Sequence, residues 1–330
     1  MPVTMRDVAR MAGVSIKTVS RVVNEQGEIA VATRQRVIDA INELGYRPNR
    51  LARALITQRT HTVGLVIPDI TNPFFPEVAR GVQDLAQEYG YNVFICNTDG
   101  GAAATQQALY SLAEQGADGV IVFPAALSDD SLGEFADTFR PVVTINHFLE
   151  HLNVASVLVR NYDGAQIAVE YLLNAGHVAI GIIAADYPHR TTPRRVLAYM
   201  EALQKRGLPV RREWIAAGPT TLDGGYLLTH KLLAQYPEIT AIFAYNDLMA
   251  AGAIGACKEL GRRVPEECAI VGFDDIQLAT VTTPTLTTMR VDKYALGRQA
   301  MARMLNMLEY PSQQYAPVYI DMELVVREST

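Results

Sequence analysis

The sequence predicts two fold classes in one chain: a small all-α helix-turn-helix headpiece, followed by an α/β core of two doubly wound parallel sheets with a cleft between them. Over the first sixty residues apolar side chains recur at helical spacing, in short segments broken by glycine. From residue 61 on, short apolar runs alternate with amphipathic stretches, the pattern of parallel sheets covered on both faces. Eight such runs in a chain of 330 residues are too many for one core, so two similar subdomains are expected. Charge divides at the same place. Residues 1–60 carry ten Lys and Arg against five Asp and Glu, +5, and the remainder carries 19 against 30, −11, giving the net −6. A basic head on an acidic body implies that only the head meets a polyanion.

In the head, Val8 and Met11, then Val19, Val22 and Val23, recur at helical spacing on either side of Ala12-Gly13-Val14: helix, tight turn, helix. Thr4 is placed to cap the first helix, with Asp7 completing an approximate capping box, and Ser15 to cap the second. A helix-turn-helix lays the start of its second helix on base edges in the major groove, which here presents Ile16, Lys17 and, one turn on, Arg21. Lys17 and Arg21 donate as guanine O6/N7 or phosphate requires, and Ile16 suits a thymine methyl. On these residues alone, three exposed side chains on a plain helical cap remain the alternative. A third helix is expected within Ile29 to Gly45, with Val37, Ile41 and Leu44 facing inward and Gly45 at its end.

The stretches Asp7-Val8-Ala9, Ala12-Gly13-Val14-Ser15, Thr18-Val19-Ser20-Arg21-Val22-Val23-Asn24 and Gly45-Tyr46-Arg47-Pro48-Asn49 resemble, in register over about sixty residues, the headpiece of the lactose/galactose-repressor (LacI/GalR-type) family of bacterial transcriptional regulators. The resemblance implies DNA contacts from Thr4, Ser15, Ile16, Lys17, Thr18, Ser20, Arg21, Asn24, Asn49 and Arg53. It also implies a hinge over 47–60 that folds on the operator and pushes Leu55 into the minor groove. An apolar wedge of that kind unstacks a base step at about a few kcal/mol, offset by the surface the bend wraps.

In the core, strands are expected at Thr62 to Ile67, Asn92 to Cys96, Gly119 to Phe123, Val142 to Ile145, Ser156 to Val159, Ala179 to Ile183, Ala241 to Tyr245 and Ala269 to Gly272, with a last strand from Val318 to Val326. Helices are expected between them, for example Phe75 to Tyr89 and Asp163 to Ala175. The resemblance implies the periplasmic-binding-protein fold, in which the chain crosses between lobes three times, here near Val159, Thr288 and Ile320. The expected domains are therefore 1–46, 47–60 and 61–330, with one lobe of 61–158 plus 289–320 and the other of 159–288 plus 321–330.

Open α/β sheets bind ligands at the carboxyl ends of their strands. The residues there are Asp69, Asn72 and Phe74 after the first strand, Asn146 and His147 after the fourth, then Asp186 and Tyr187, Asn246 and Asp247, and Asp274 and Asp275. Asn, Asp and Arg converging on a cleft suit a sugar or other polyol, whose hydroxyls need partners once desolvated. Phe74 either packs in the core or offers a ring face to the ligand. Carried over residue by residue, the family's ligand contacts fall on Arg195 in RVLAY, rather than on its neighbour Arg194, on Asn246 in YNDLMAAG and on Asp274 in VGFDDIQLA. With Asp69, Phe74, Asn146 and Tyr187 they form the expected ligand set. Asp247 and Asp275 read instead as acids at helix starts. The sequence departs from the family at Ala198, where glycine is usual, at Pro219-Thr220-Thr221, where relatives carry an aromatic, and at Arg160-Asn161, where Asp-Asn is usual.

Hydrophobic content of 49% and charged content of 19% describe a globular protein. No GxGxxG follows the first strand, and GxxxxGK[ST], HExxH and GxSxG are absent, so no cofactor, catalytic residue or enzyme activity is expected. A His177–Asp99 dyad is less economical than a histidine at a helix end. Cys96, Cys257 and Cys268 show no CxxC spacing, which argues against a disulfide framework or a metal site. No signal peptide is visible and no run approaches the roughly 18 apolar residues of a membrane span, so the cytoplasm, at the nucleoid, is the expected compartment. No apolar heptads follow the last strand, which argues against a coiled-coil tetramer. The reading is a repressor that binds a roughly palindromic operator as a homodimer and answers to a small-molecule effector, a carbohydrate or related metabolite. The helix from Val78 to Tyr89 is expected on the dimer surface. The alternative is a sugar-binding protein or enzyme with an unrelated helical cap.

Overall fold

The computed structural model describes residues 3–23, 27–46, 59–139, 141–186 and 191–330, in two compact units, Met1–Thr60 and His61–Thr330. The first unit holds α1 (Met5–Ala12), α2 (Ile16–Val23) and α3 (Val31–Leu44). Its core is Val8, Ala9, Ala12, Val19, Val22, Val37, Ala40 and Tyr46, with Ile41 and Leu44 half-buried against it. The buried face of α1 is Val8, Ala9 and Ala12, which leaves Met11 outward at 45% exposure against expectation. Gly13 sits at φ 65, a left-handed turn that favours glycine, and closes α1 with its N–H on the Ala9 carbonyl. At the other end of α1 the carboxylate of Asp7 accepts from both the N–H of Thr4, at 3.0 Å, and its hydroxyl, at 2.6 Å. Those bonds hold the carboxyl below its usual value.

The second unit contains two six-stranded sheets. The first runs in the order β2 (Asn92–Asn97), β1 (Thr62–Ile67), β3 (Gly119–Val122), β4 (Val142–Ile145), β5 (Val154–Val159) and β11 (Val318–Ile320), every pairing parallel. Its helices are α4 (Phe74–Glu88), α5 (Ala102–Glu114), α6 (Asp129–Thr138) and α11 (Lys293–Glu309). The second sheet runs β7 (Ile215–Gly218), β6 (Ile180–Ala185), β8 (Ala241–Ala244), β9 (Ala269–Asp274), β10 (Thr287–Val291) and β12 (Met322–Val325), parallel except for β10 with β12. It carries α7 (Asn161–Asn174), α8 (Thr192–Lys205), α9 (Leu222–Gln235) and α10 (Asp247–Glu259).

The chain passes between lobes after β5, after β10 and at Asp321. The second crossing falls beyond Val291, not at Thr288, because β10 stays paired with β9 through Arg290 and with β12 through Val291. Asp321 splits the single strand expected over 318–326 into β11 of one sheet and β12 of the other. β7 and β10 are additional strands. β10 reads TTMRV, and its two threonines are buried because their hydroxyls are bonded, Thr287 to the Arg327 carbonyl at 3.2 Å and Thr288 to Asp247.

In each lobe one helix pair meets through reciprocal glycines. A Cβ at Gly81 of α4 would stand 2.2 Å from the Tyr294 carbonyl oxygen of α11, and one at Gly297 of α11 would stand 2.0 Å from that of Val78. In the other lobe, Gly225 of α9 would meet the Met249 carbonyl at 2.1 Å and Gly252 of α10 that of Leu222 at 2.0 Å. Only glycine permits backbones this close.

Candidate functional site

The start of α2 is organised by Ser15, whose Oγ accepts from the N–H of Thr18 at 3.1 Å and lies 2.9 Å from its hydroxyl. That leaves Ser15, Ile16, Lys17 and Arg21 exposed and Thr18 and Ser20 half-buried, while Val19 and Val22 face the core. Ile16, an apolar residue, stands 45% exposed and outside the core cluster. Thr4 is exposed at the start of α1, its hydroxyl engaged by Asp7. Asn24, Asn49, Arg53 and Leu55, with most of the hinge expected over 47–60, lie outside the described residues.

Between the two sheets of the second unit lies a cleft of about 790 Å³, counted to its open mouth. Six of the seven expected ligand residues line it, Asp69, Phe74, Asn146, Arg195, Asn246 and Asp274; Tyr187 lies outside the described residues. The first lobe gives an apolar wall. Phe74, Phe75 and Phe123 stand edge to face, with centroids 5.1 to 6.4 Å apart. Phe74 is buried in the first-lobe core and also lines the cleft. Asp69 Oδ1 accepts from the N–H and hydroxyl of Thr71, and Asn72 Oδ1 accepts from the N–H of Phe74 at 3.0 Å. These bonds fold the loop after β1 into the start of α4. Asn146, at φ 57, uses Oδ1 to accept from the N–H of Val159 at 3.1 Å, which ties the end of β4 to the first crossing.

The second lobe gives the charged wall. Arg195 Nε and Nη2 both donate to Asn161 Oδ1, at 3.1 and 2.8 Å, and Nη1 donates to the carbonyl of Tyr245. The rings of Phe273 and Tyr245 lie 3.5 and 4.4 Å from the guanidinium carbon. Arg195 is 6% exposed; burial lowers its pKa, yet a guanidinium keeps its charge throughout the working range of pH. Asp274, 7% exposed, holds φ 109 at the end of β9, in backbone space that side chains rarely occupy. Among the described residues its carboxylate accepts no hydrogen bond, and the nearest cation is Arg195 Nη2 at 3.9 Å. Burial pushes its carboxyl up to about 6, against the pull of Arg195 and Lys293. Asn246 caps α10, with Oδ1 accepting from the N–H of Met249 at 2.8 Å, while Nδ2 reaches the Thr220 carbonyl at 3.3 Å. One amide hydrogen remains for the cleft.

The other acids depart from expectation. Asp247 is indeed the first residue of α10, but it is fully buried and bridges elements: Oδ2 accepts from the N–H of Ile276 at 2.8 Å and Oδ1 from Thr288 Oγ1. Burial raises its carboxyl well above the ordinary value. Asp275 starts no helix. At φ 51 it holds Arg290 Nε at 2.6 Å and Arg327 Nη2 at 2.7 Å. Asp186 and His147 do not line the cleft; His147 Nε2 lies 2.9 Å from Asp129. His177 faces the Thr240 hydroxyl at 3.0 Å and Asp99 faces Asn97, so no dyad is assembled.

Sequence reasoning missed Asn161, Thr191, Tyr245 and the partner phenylalanines at 75 and 123, which also shape the cleft. Asn161 carried a signal, its place at the start of the helix after the crossing strand, and Tyr245 directly follows β8. Thr191 Oγ1 lies 2.7 Å from Tyr245 Oη.

Residues 4–49 match the model for bacterial regulatory proteins of the lacI family, and residues 60–327 match that for periplasmic binding proteins and the sugar binding domain of the LacI family. The chain is 34% identical over 327 residues to the HTH-type transcriptional repressor PurR of Pasteurella multocida, covering 99% of this chain and 98% of the relative. It is 38% identical over 288 residues to the HTH-type transcriptional regulator GalS of Salmonella typhimurium, covering 87% and 85%. The crystal structure of the Lac repressor dimer bound to operator and the anti-inducer ONPF superposes with a TM-score of 0.89 at 26% identity, covering 100% of this chain and 99% of that one.

Proposed function

The chain belongs to the LacI family of bacterial regulatory proteins, and from that premise we propose that it is a sequence-specific transcriptional repressor whose affinity for operator DNA is set by a small molecule held between its two lobes. It works as a homodimer on a roughly palindromic operator, two-fold protein symmetry being mirrored in the site. Ile16, Lys17 and Arg21 read base edges, and Thr4, Ser15, Thr18 and Ser20 contact phosphate and sugar. The effector is a sugar or related metabolite bound by Asp69, Phe74, Asn146, Arg195, Asn246 and Asp274. It carries out no catalysis, and it acts in the cytoplasm, on the nucleoid. Among the described residues no helix is long and apolar enough to cross a membrane.

The single observation that carries the effector reading is the Asp274 carboxylate, nine-tenths buried, facing the cleft and accepting no hydrogen bond within the described chain. Its oxygens open on the cleft with acceptor capacity to spare, so a hydroxyl-bearing ligand that displaces solvent there finds the partner it needs. The opposite wall of edge-on phenylalanines suits the apolar face of a ring. The alternative of a sugar-binding protein with an unrelated cap fails on residues 4–49, which match the regulator family in their own right.

The dimer surface uses a different face of α4 from the one its apolar residues mark. Val78, Val82, Leu85 and Ala86 are buried in the first-lobe core, where α4 packs on α11. The outward surface is Arg80, Asp84, Glu88 and Tyr89, continued by Phe94 and Ile95 on the edge strand β2. That combination of exposed aromatic, aliphatic and paired charge fits a second copy of the chain.

Two linked measurements test the proposal. Selection of the purified protein against a pool of random duplexes should enrich a palindrome. Thermal unfolding against sugars, sugar phosphates, polyols, nucleosides and purines should give one class of hit, since a ligand at about 100 times its Kd stabilises the native state by roughly 2.7 kcal/mol. The same ligand must change operator affinity, and by linkage the operator must change ligand affinity by the same factor. No enriched sequence, or a ligand that leaves operator affinity untouched, would overturn it.

A further inference from the structure

Lys293 begins α11, a first-lobe helix, yet it is only 4% exposed and its amine lies among second-lobe carbonyls. Nζ donates to the carbonyl oxygens of Asp274 at 2.9 Å, Asp275 at 2.8 Å and Val291 at 3.4 Å. On its other side Nζ lies 3.5 Å from Oε2 of Glu77, in the first turn of α4, three residues after the Phe74 that lines the cleft. A lysine at the start of an amphipathic helix ordinarily points to water, where its hydration is best. Burying it requires that each donor be used, and here three carbonyls and one carboxylate use them.

Two of those carbonyls belong to consecutive residues at positive φ, 109 at Asp274 and 51 at Asp275. Non-glycine residues persist in such conformations only where surrounding contacts over-determine them. The carbonyls converge on one amine, so the bond that holds the backbone turn also fixes where the Asp274 carboxylate points. We infer that Lys293 is the positioning residue of the cleft: it holds the Asp274–Asp275 turn of the second lobe in its ligand-facing conformation and, through Glu77, ties that turn to the first-lobe helix that carries Phe74. The two walls of the cleft are thereby joined through one buried amine behind the ligand, so a change at the Asp274 end reaches the start of α4. α4 and α11 are themselves bolted together at Gly81 and Gly297, which passes the displacement to the pair as a unit. The inference rests on the reading of Asp274 as the effector-facing acid.

The charged groups that bear on Asp274 are Arg195 of α8, Lys293 of α11, Glu77 of α4, Asp247 of α10 and the adjacent Asp275, itself neutralised by Arg290 and Arg327. Glu77 stands outside the cleft, half-exposed, and is the group whose replacement perturbs packing least.

The experiment needs no effector. Thermal unfolding of the full chain is followed through its one tryptophan, Trp214, from about pH 4 to about pH 7.5, which spans the ordinary and the raised carboxyl values. Asp274 and Asp247 lower stability as pH rises toward about 6, against the opposite contribution at low pH of depressed carboxyls such as Asp7, Glu88 and Asp275, and Asp274→Asn removes the Asp274 share, leaving that of Asp247. Glu77→Gln should move the upper end of the decline to lower pH, and Lys293→Met should move it to higher pH. Neither shift should survive in an Asp274→Asn background, because a packing role alone has no reason to depend on that proton. An unmoved midpoint in Glu77→Gln, or the same shift with and without Asp274→Asn, overturns the inference. Should Lys293→Met fail to fold, the Glu77→Gln cycle decides by itself. A ligand panel without a hit would count against the effector reading and leave this titration standing.

Discussion

Arg195 Nη2 stands 3.9 Å from Asp274 Oδ1, close enough to attract and too far to hydrogen-bond. Both side chains are nearly buried, and the guanidinium gives its short contacts to Asn161 and the Tyr245 carbonyl instead. The acid is therefore left with a poorly compensated charge, and burial wins over the two cations in setting its pKa at about 6. In an unfolded chain the same carboxyl titrates near the ordinary aspartate value of 3.8. The folded state thus holds a proton that the unfolded state has lost between about pH 4 and about pH 6, and stability falls across that window as pH rises. At neutral pH the full penalty is present, at most about 3 kcal/mol for a shift of this size. Asp274→Asn should raise the unfolding temperature at neutral pH and flatten this part of the profile. A variant no more stable than wild type at pH 7 would show that the charge is better compensated than the 3.9 Å separation implies.

The same proton governs the effector. A ligand hydroxyl donates more strongly to the ionised carboxylate than to the neutral acid, so affinity should hold above about pH 6 and weaken below it. Isothermal titration across that range with the hit from the ligand panel gives the profile. In Asp274→Asn the affinity should be low and independent of pH, and an unchanged profile in that variant would assign the dependence to another group.

Asp247 carries a different kind of acid, one that serves the fold. Its two oxygens accept from Ile276 N–H and Thr288 Oγ1 in a fully buried site, joining α10 to the β9 exit and to β10. Asp247→Ala leaves two buried donors unpaired and should cost roughly 2–4 kcal/mol in urea unfolding. Asp247→Asn keeps an acceptor for Ile276 and relieves the buried charge, so it should lose far less at neutral pH. Equal losses would mean that shape, not polar pairing, sets the cost.

These two residues show how far the sequence could be read. Ends of apolar runs such as VIPD and AIVGFD mark cleft positions because a parallel sheet exposes its carboxyl ends there, and six such positions do line the cleft. What Asp247 does was not legible, since its partners Ile276 and Thr288 are set by tertiary contact across 29 and 41 residues. β10 escaped because TTMRV has no apolar run and only the short Met-Arg-Val alternation, its threonines becoming buried only once bonded. The strand over 318–326 looked continuous because a crossing from one sheet to another leaves the apolar pattern intact on both sides of Asp321. Lys293 gave no signal, since nothing local distinguishes a buried lysine from a solvated one.

The glycines at the helix crossings divide by what lies beside them. Gly81→Ala and Gly252→Ala would press a Cβ to 2.2 and 2.0 Å from backbone carbonyl oxygens that belong to other helical turns and cannot swing away. Separation of α4 from α11, or of α9 from α10, should cost roughly 1–3 kcal/mol or more. Gly133 in α6 has open space around its Cβ and ordinary φ, so Gly133→Ala should gain about 0.5–1 kcal/mol. Urea midpoints for the three variants test the contrast, and a Gly81→Ala chain as stable as wild type would sink the close-crossing argument.

On the headpiece, Lys17 and Arg21 are four residues apart on one exposed face of α2, with Ile16 at its start. Cations on a reading helix divide into those that hold phosphate and those that touch base edges, and the two behave differently with salt and sequence. Arg21 lies a turn into the helix, and its planar guanidinium fork is pre-organised for the bidentate pair with guanine. Arg21→Ala should therefore cost about 1–3 kcal/mol on the selected operator and relax the preference at one symmetric pair of base positions. Replacing a phosphate contact instead weakens all sequences alike and lowers the salt slope by about one unit. Titrations of selected and scrambled duplexes at two salt concentrations separate the cases. If Arg21→Ala lowers both affinities equally, Arg21 is a phosphate contact and base reading belongs to Ile16 and Lys17.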